Sequence, residues 1–206
     1  MPKLEVFVWI DPDQTQRAEY TFPAKAMTSN SSQGCTASAS SVYSTNFPAW
    51  RAFDLSETSK CWASSNSATG PYLEFTFPIP LYDITVTVIN RGDHASVING
   101  PIKGDIYGWN KQAGETYLPP PEEGEYDETK KYNAHLIYSD RDGSTKQLST
   151  SYYIEDTKDH CCDTIRFQID TWKKTGDSKY AAIGEMKITG YSLPSSGSWV
   201  STNSLI

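Results

Sequence analysis

The sequence predicts an all-β protein, a sandwich or a barrel, and three observations carry that reading. Short runs of alternating apolar and polar residues recur along the chain, as in strands with one buried face. Gly, Pro, Asn or Asp separates the runs, and no segment keeps a helical period over several turns. The chain's 206 residues are enough for one substantial core, and all-β units of this size commonly stay undivided.

Taken in order, Leu4 to Ile10 is β-branched and aromatic and stops at Asp11-Pro12-Asp13, so it reads as a strand closed by a turn. A second short strand, Ala18 to Phe22, stops at Pro23. Residues 1–25 thus suggest an N-terminal hairpin extension that either pairs with the main sheet or docks on a partner subunit. From Met27 to Ser44 the chain is rich in Ser, Thr, Ala and Asn, which suits an irregular hydrogen-bonded loop. Tyr72 to Phe77 and Leu81 to Asn90 alternate at period two and read as two strands. Further strands are expected at Ile102 to Trp109, Ala134 to Tyr138, Ser151 to Ile154, Thr164 to Asp170 and Glu185 to Tyr191. Leu118 to Lys131, with Pro119-Pro120-Pro121 and an acidic run from Glu122 to Glu128, reads as a solvated excursion. Residues 193–206 are linker-like and read as a loose tail.

Pro48 to Trp62 stands out. Trp50, Phe53 and Trp62 flank a polar loop holding Asp54, Ser56, Glu57, Thr58 and Ser59. Burying the rings would fix both ends of the loop, because each removes a large apolar area from water. The oxygen-rich loop suits a hard cation such as Ca²⁺, and equally a turn whose side chains satisfy their own backbone.

The formal charge of −7 argues against a nucleic-acid partner, which would require clustered Lys and Arg. No apolar run is long enough to span a bilayer, and Met1 to Glu5 does not open a signal peptide. Cys35, Cys61, Cys161 and Cys162 are expected as free thiols. His160-Cys161-Cys162 invites a metal reading, but neighbours on a strand point to opposite faces.

Ala26 to Asn30, Ser38 to Ser41, Ala49 to Asp54 and Trp62-Ala63-Ser64, in that order, resemble the opening half of discoidin domains, also called coagulation factor type C domains. Ile102 to Asn110 is similar to that family's central strand and following turn, and Thr164 to Ile169 and Ala181 to Ile188 to its last two core strands. The resemblance covers roughly Met27 to Tyr191 and implies a galactose-binding-like jelly-roll β-sandwich over residues 26–192, in a family that usually binds rather than catalyses. It implies a Ca²⁺ site in which Asp54, loop oxygens including Glu57, and Glu185 surround the ion, although Leu55 stands where the family has Gly. It also implies sugar contacts on loops at one end of the sandwich: Arg91 and Asn99-Gly100 as hydrogen-bonding groups, Tyr180 as an aromatic platform, with Asn46 and His94 nearby. The chemistry is sensible, since Arg and Asn form directional hydrogen bonds to hydroxyls and a ring covers the C–H face of a sugar. Asn99-Gly100 is also a good turn dipeptide.

Catalysis is not expected. His94, His135 and His160 lie in separate segments and no motif pairs the carboxylates. The expected function is a non-catalytic adhesion module for surface glycans, in a setting such as a virion or phage particle. The alternative is a structural subunit that uses the sandwich for protein contacts and is held to other subunits by its termini.

Overall fold

The structure, a computed structural model, describes residues 7–10, 18–58, 60–66, 69–121, 127, 129–158, 161–175, 179–192 and 198–201. Its strands are β1 (Phe7–Ile10), β2 (Ala18–Phe22), β3 (Ser31–Ser32), β4 (Cys35–Ala39), β5 (Trp62–Ala63), β6 (Tyr72–Ile89), β7 (Pro101–Trp109), β8 (Ala134–Tyr138), β9 (Ser149–Tyr153), β10 (Cys162–Trp172), β11 (Ala182–Ile183), β12 (Glu185–Ser192) and β13 (Ser198–Ser201). Ala49–Phe53 and Glu155–Lys158 form short 3-10 turns. The all-β expectation holds, and the strands pair antiparallel throughout.

The sandwich is organised by β6. Its first part, Leu73 to Thr76, pairs with β4 on one side and β10 on the other, and β10 continues through β7 to β8. Its second part, Thr85 to Ile89, pairs with β12 and β9, and β12 continues to β2. One strand of 18 residues therefore belongs to both layers. The sequence reading split it in two at Pro78 and Pro80, which cannot donate to a ladder. Those prolines lie where β6 passes from one layer to the other, so the chain continues as a single strand. The alternation changes phase along the way. Leu73, Phe75 and Phe77 are buried before the prolines, and Ile84, Val86 and Val88 after them. Asp83, at φ +51°, lies between the two phases, where the pairing with β12 slips.

Phe75, Phe77 and Phe167 from the sheets meet Phe53 and Trp62 from the loop region in one core, all five fully buried. Phe53 stacks on Phe75 at 4.1 Å between centroids and 12° between planes. Burying each such ring is worth about 1.5–3 kcal/mol, which anchors both ends of the Pro48–Trp62 stretch as its composition suggested. Trp50 is only half-buried and carries the Arg51 guanidinium 4.0 Å from its ring centroid.

Of the two readings of the N-terminal segment, β2 follows pairing with the main sheet: it pairs with β12, and Phe22 is in the core, stacked on Phe77 at 5.2 Å. Among the described residues β1 pairs not with β2 but with β13, Trp9 opposite Trp199 and Val8 opposite Val200. Part of the tail read as loose is thus a strand, because its partner lies at the far end of the chain, where local composition carries no sign of it. Cys35, Cys61 and Cys161 are free thiols, as expected; His160 lies outside the described residues.

Candidate functional site

The loops that follow β6 and precede β11 meet at one end of the sandwich. Where β6 ends, Asn90-Arg91-Gly92-Asp93 runs against Gly184, so closely that a Cβ on Gly184 would stand 2.7 Å from the Arg91 Cα. Only glycine permits that approach. It sets Arg91 beneath the rim, where Nε and Nη2 donate to the two Asp93 carboxylate oxygens at 2.7 and 2.8 Å and Nη1 donates to the Tyr180 hydroxyl at 3.3 Å. Burial works against the charge of Arg91, but its hydrogen bonds to Asp93 more than offset it and hold the pKa above the ordinary arginine value.

Tyr180 and Phe47 pack on a small satellite core of Cys61, Ala63 and Ala182. The core is closed by the β5–β11 pair, with the Ser64 amide donating to the Ala181 carbonyl and the Ala181 amide to Ser64 Oγ. Tyr43, 47% exposed, lies over this base, its ring 5.0 Å from Tyr180 and 6.0 Å edge-on from Phe47. Its amide donates to the Ala63 carbonyl at 2.7 Å, which fixes the loop that carries it. An aromatic surface over a charged, hydrogen-bonding pair is thus built from Tyr43, Phe47, Tyr180, Arg91 and Asp93. Sequence reasoning found Arg91 and Tyr180, which touch, and missed Tyr43, Phe47 and Asp93. The available signal was the density of Tyr and Phe in the otherwise Ser- and Thr-rich run before Pro48.

The other expected ligand groups are placed differently. Asn99 is fully buried at φ +52°, and its carbonyl accepts from the Ala182 amide at 2.9 Å. Its side-chain amide has no hydrogen-bond partner among the described residues. Asn99 thus holds a left-handed backbone conformation beneath the rim, with its side chain buried. Asn46 is exposed on the Tyr43–Phe47 loop, its Oδ1 accepting from Lys60 Nζ at 3.3 Å. His94 is exposed, but its Nδ1 accepts the amides of Ser96 and Val97 at 3.2 and 3.0 Å, so it closes a local turn.

A buried polar layer holds the rim from below. The Arg141 guanidinium, 5% exposed as a residue, donates to Asn90 Oδ1 and to the carbonyls of Pro101, Val88 and Leu148. Asn90 Nδ2 in turn donates to the carbonyls of Asp142 and Thr145 at 2.9 and 2.7 Å. A Cβ on Gly100 would stand 2.3 Å from Asn90 Oδ1, so the Asn99-Gly100 turn rests directly on this network.

The Pro48–Trp62 loop gives the second constellation. The Ser56 amide is shared between Asp54 Oδ1 and Glu185 Oε2, both at 3.1 Å, which brings the two carboxylates together as the family resemblance implied. Asp54 Oδ2 also accepts from Arg51 Nη1 at 3.1 Å. Glu185 is fully buried, and its Oε1 has no hydrogen-bond partner among the described residues. Burial first, and then the charge of Asp54, pushes its pKa up to about 8. Leu55, where the family has Gly, adopts the left-handed φ of +56° that Gly would take without strain. The family resemblance also places Glu57 around the ion. Its side chain is exposed, and among the described residues no three His, Cys, Asp or Glu side chains gather as a metal cluster. The turn at Leu55 instead brings the Glu57 carbonyl against Gly92, where a Cβ would stand 2.1 Å from it. Two facing carboxylates and an unsatisfied buried oxygen fit a hard cation.

This arrangement is a galactose-binding-like β-sandwich, a fold that solved structures share. Chitosan-binding module 1 of a Paenibacillus sp. IK-5 chitosanase/glucanase, as a selenomethionine-labelled variant, is 17% identical, with 75% of this chain and 93% of that one covered and a TM-score of 0.53. The module CpGH89CBM32-5 from Clostridium perfringens, in complex with GalNAc-β-1,3-galactose, is 14% identical, with 75% and 94% covered and a TM-score of 0.52. A fucolectin from striped bass (Morone saxatilis) serum is 18% identical, with 79% of this chain and 49% of that one covered and a TM-score of 0.51. No protein-family model and no curated protein matches the sequence.

Proposed function

We propose that the chain is a non-catalytic carbohydrate-binding module for surface glycans. The observation that carries this reading is the exposed Tyr43 ring on Tyr180, with Arg91 and Asp93 hydrogen-bonded beside it. The two rings cover the C–H face of a pyranose, while the Arg91–Asp93 pair and the Tyr180 hydroxyl exchange hydrogen bonds with its hydroxyls. Solved relatives bind GalNAc-β-1,3-galactose or chitosan by description, which supports a glycan as the ligand class. His94 and His135 are engaged structurally, His94 in its turn and His135 with Asp105 at 2.9 Å, which favours binding over catalysis. A glycan array with the whole chain, repeated with Tyr43→Ala and Tyr180→Ala, tests the reading. Binding lost in both variants supports it, and no binding by the wild type with or without Ca²⁺ would sink it.

Ca²⁺ belongs to the same proposal. Asp54 and Glu185 would hold it, and the ion would neutralise their mutual repulsion and fix the loop against Gly92. Elemental analysis and the melting temperature before and after chelation decide the point; absence of metal and an unchanged melt would leave the loop an ordinary turn.

A second reading rests on the β1–β13 ribbon. Two strands alone are marginal in water and expose unpaired edges, which suits a segment that joins other subunits, as in a virion or phage assembly displaying the sandwich outward. Native mass measurement of the full chain against a version lacking residues 1–17 and 193–206 tests it; an unchanged oligomeric state would remove its support.

A further inference from the structure

A separate cleft of about 380 Å³ opens beside Trp172, lined by Thr69, Gly70, Asp170, Thr171, Trp172 and Lys174. None of these residues takes part in the Tyr43–Tyr180 constellation. The cleft is built by an irregularity in the sheet: the β10–β7 register slips between Ile169 and Thr171 and again between Thr171 and Trp172, leaving Asp170 without a ladder partner. Bulges of this kind bend a strand and re-aim its side chains, and they recur beside functional sites. The opposite wall is fixed by Gln168 Nε2, which donates to the Gly70 carbonyl at 2.7 Å and holds Gly70 at φ +56°.

The chemistry of the lining is that of a sugar site. Trp172 is half-buried, and its buried indole N–H makes no hydrogen bond among the described residues. Asp170 supplies acceptors, the hydroxyls of Thr69 and Thr171 accept and donate, and the Lys174 ammonium lies 5.4 Å from the Trp172 ring centroid. Among the described lining residues Asp170 and Lys174 carry opposite charges. The volume lies within the range of small-molecule pockets.

The cleft and the Tyr43–Tyr180 surface share one rim. The Asn99 carbonyl accepts the Ala182 amide and the next carbonyl, of Gly100, accepts the Lys173 amide at 3.0 Å. One buried turn therefore ties down both the segment after Tyr180 and the segment after Trp172.

We propose that the Trp172 cleft is a second subsite that takes a further neutral pyranose unit of the same glycan, an inference that rests on the glycan-binding reading of the Tyr43–Tyr180 surface. The test is an NMR titration of the labelled full chain with two ladders: galactose, lactose and lacto-N-tetraose, and N-acetylglucosamine with its dimer and tetramer. Monosaccharides should shift resonances around Tyr43 and Tyr180 only. A tetrasaccharide should also shift the Trp172 indole N–H and bind about three- to tenfold tighter, the gain expected of one added aromatic contact. Trp172→Ala and Asp170→Asn should remove that gain and leave monosaccharide affinity unchanged. Because Trp172 also packs on the core, the exposed-site variant Asp170→Asn and the indole shift decide the matter if Trp172→Ala does not fold. A gain that survives Asp170→Asn with an unmoved indole signal overturns the subsite while the primary site stands. A tetrasaccharide that moves the indole when no monosaccharide moves Tyr43 or Tyr180 supports the cleft and overturns the primary site. No shift anywhere with either ladder overturns both.

Discussion

Gly92 and Glu57 are in backbone contact across the end of the sandwich: a Cβ on Gly92 would stand 2.1 Å from the Glu57 carbonyl oxygen. The contact joins the Asp54 loop to the segment that carries Arg91 and Asp93, so the two constellations form one mechanical unit. Gly92→Ala should push the loop away, lower stability by about 1–3 kcal/mol, and weaken glycan binding at the same time. The urea midpoint and a binding isotherm for the same variant check this; a midpoint and an affinity both equal to wild type would show that loop and rim act separately.

Arg141 is buried among carbonyl oxygens and Asn90, with no carboxylate among its hydrogen-bond partners. Removing it leaves several acceptors unsatisfied at once, so Arg141→Ala should cost about 2–4 kcal/mol. Arg141→Lys should recover only part of that, because an ammonium cannot reproduce the guanidinium fork. Chemical denaturation of both variants reads the difference.

Glu185 makes stability depend on pH in the metal-free protein. Its folded pKa of about 8 lies above the ordinary 4.5, so the folded state holds a proton that the unfolded state has released over that window. Stability from this group is therefore greatest below about pH 4.5, falls as pH rises towards 8, and levels off above it. Ca²⁺ requires the carboxylate, so its stabilising effect should grow across the same window. Melting curves with chelator and with Ca²⁺ test both, and Glu185→Gln should flatten the slope and abolish the Ca²⁺ effect. A melt that rises from pH 5 to 8 in chelator would contradict the assignment.

The thiols should be inert in the native state. Burial pushes Cys61 up to about 12 despite the nearby Arg91 charge, and burial likewise raises Cys162. At pH 8 neither carries appreciable thiolate, which is the reactive form. Maleimide labelling followed by mass spectrometry should find both unmodified until denaturant is added.

The layers of the fold were legible in the alternation of their strands, because a half-buried strand writes its two faces directly into the sequence. Where a strand changed layer, the alternation changed phase, and β6 read as two pieces. The aromatic anchoring by Phe53 and Trp62 was legible for the same reason, since ring burial follows residue type closely. Partnership over long separations was not: β13 looked like a Ser-rich tail because β1 lies almost the whole chain away. Arg141, between Asp140 and Asp142, reads as a surface charge, and only the packed structure shows that it is buried. Asn99 could be a sugar contact or a turn until its burial and positive φ were known. Tyr43 lay hidden in a polar run because a platform residue is exposed and leaves no periodic trace.

The sharing of β6 between layers bears on how the molecule comes apart. Its ladder runs to β4 and β10 on one side of the prolines and to β12 and β9 on the other. Neither layer can lose its central strand without disturbing the other, which couples the opening of the two sheets. The slowest-exchanging amide protons in the two halves of β6 should report one common opening free energy, that of global unfolding.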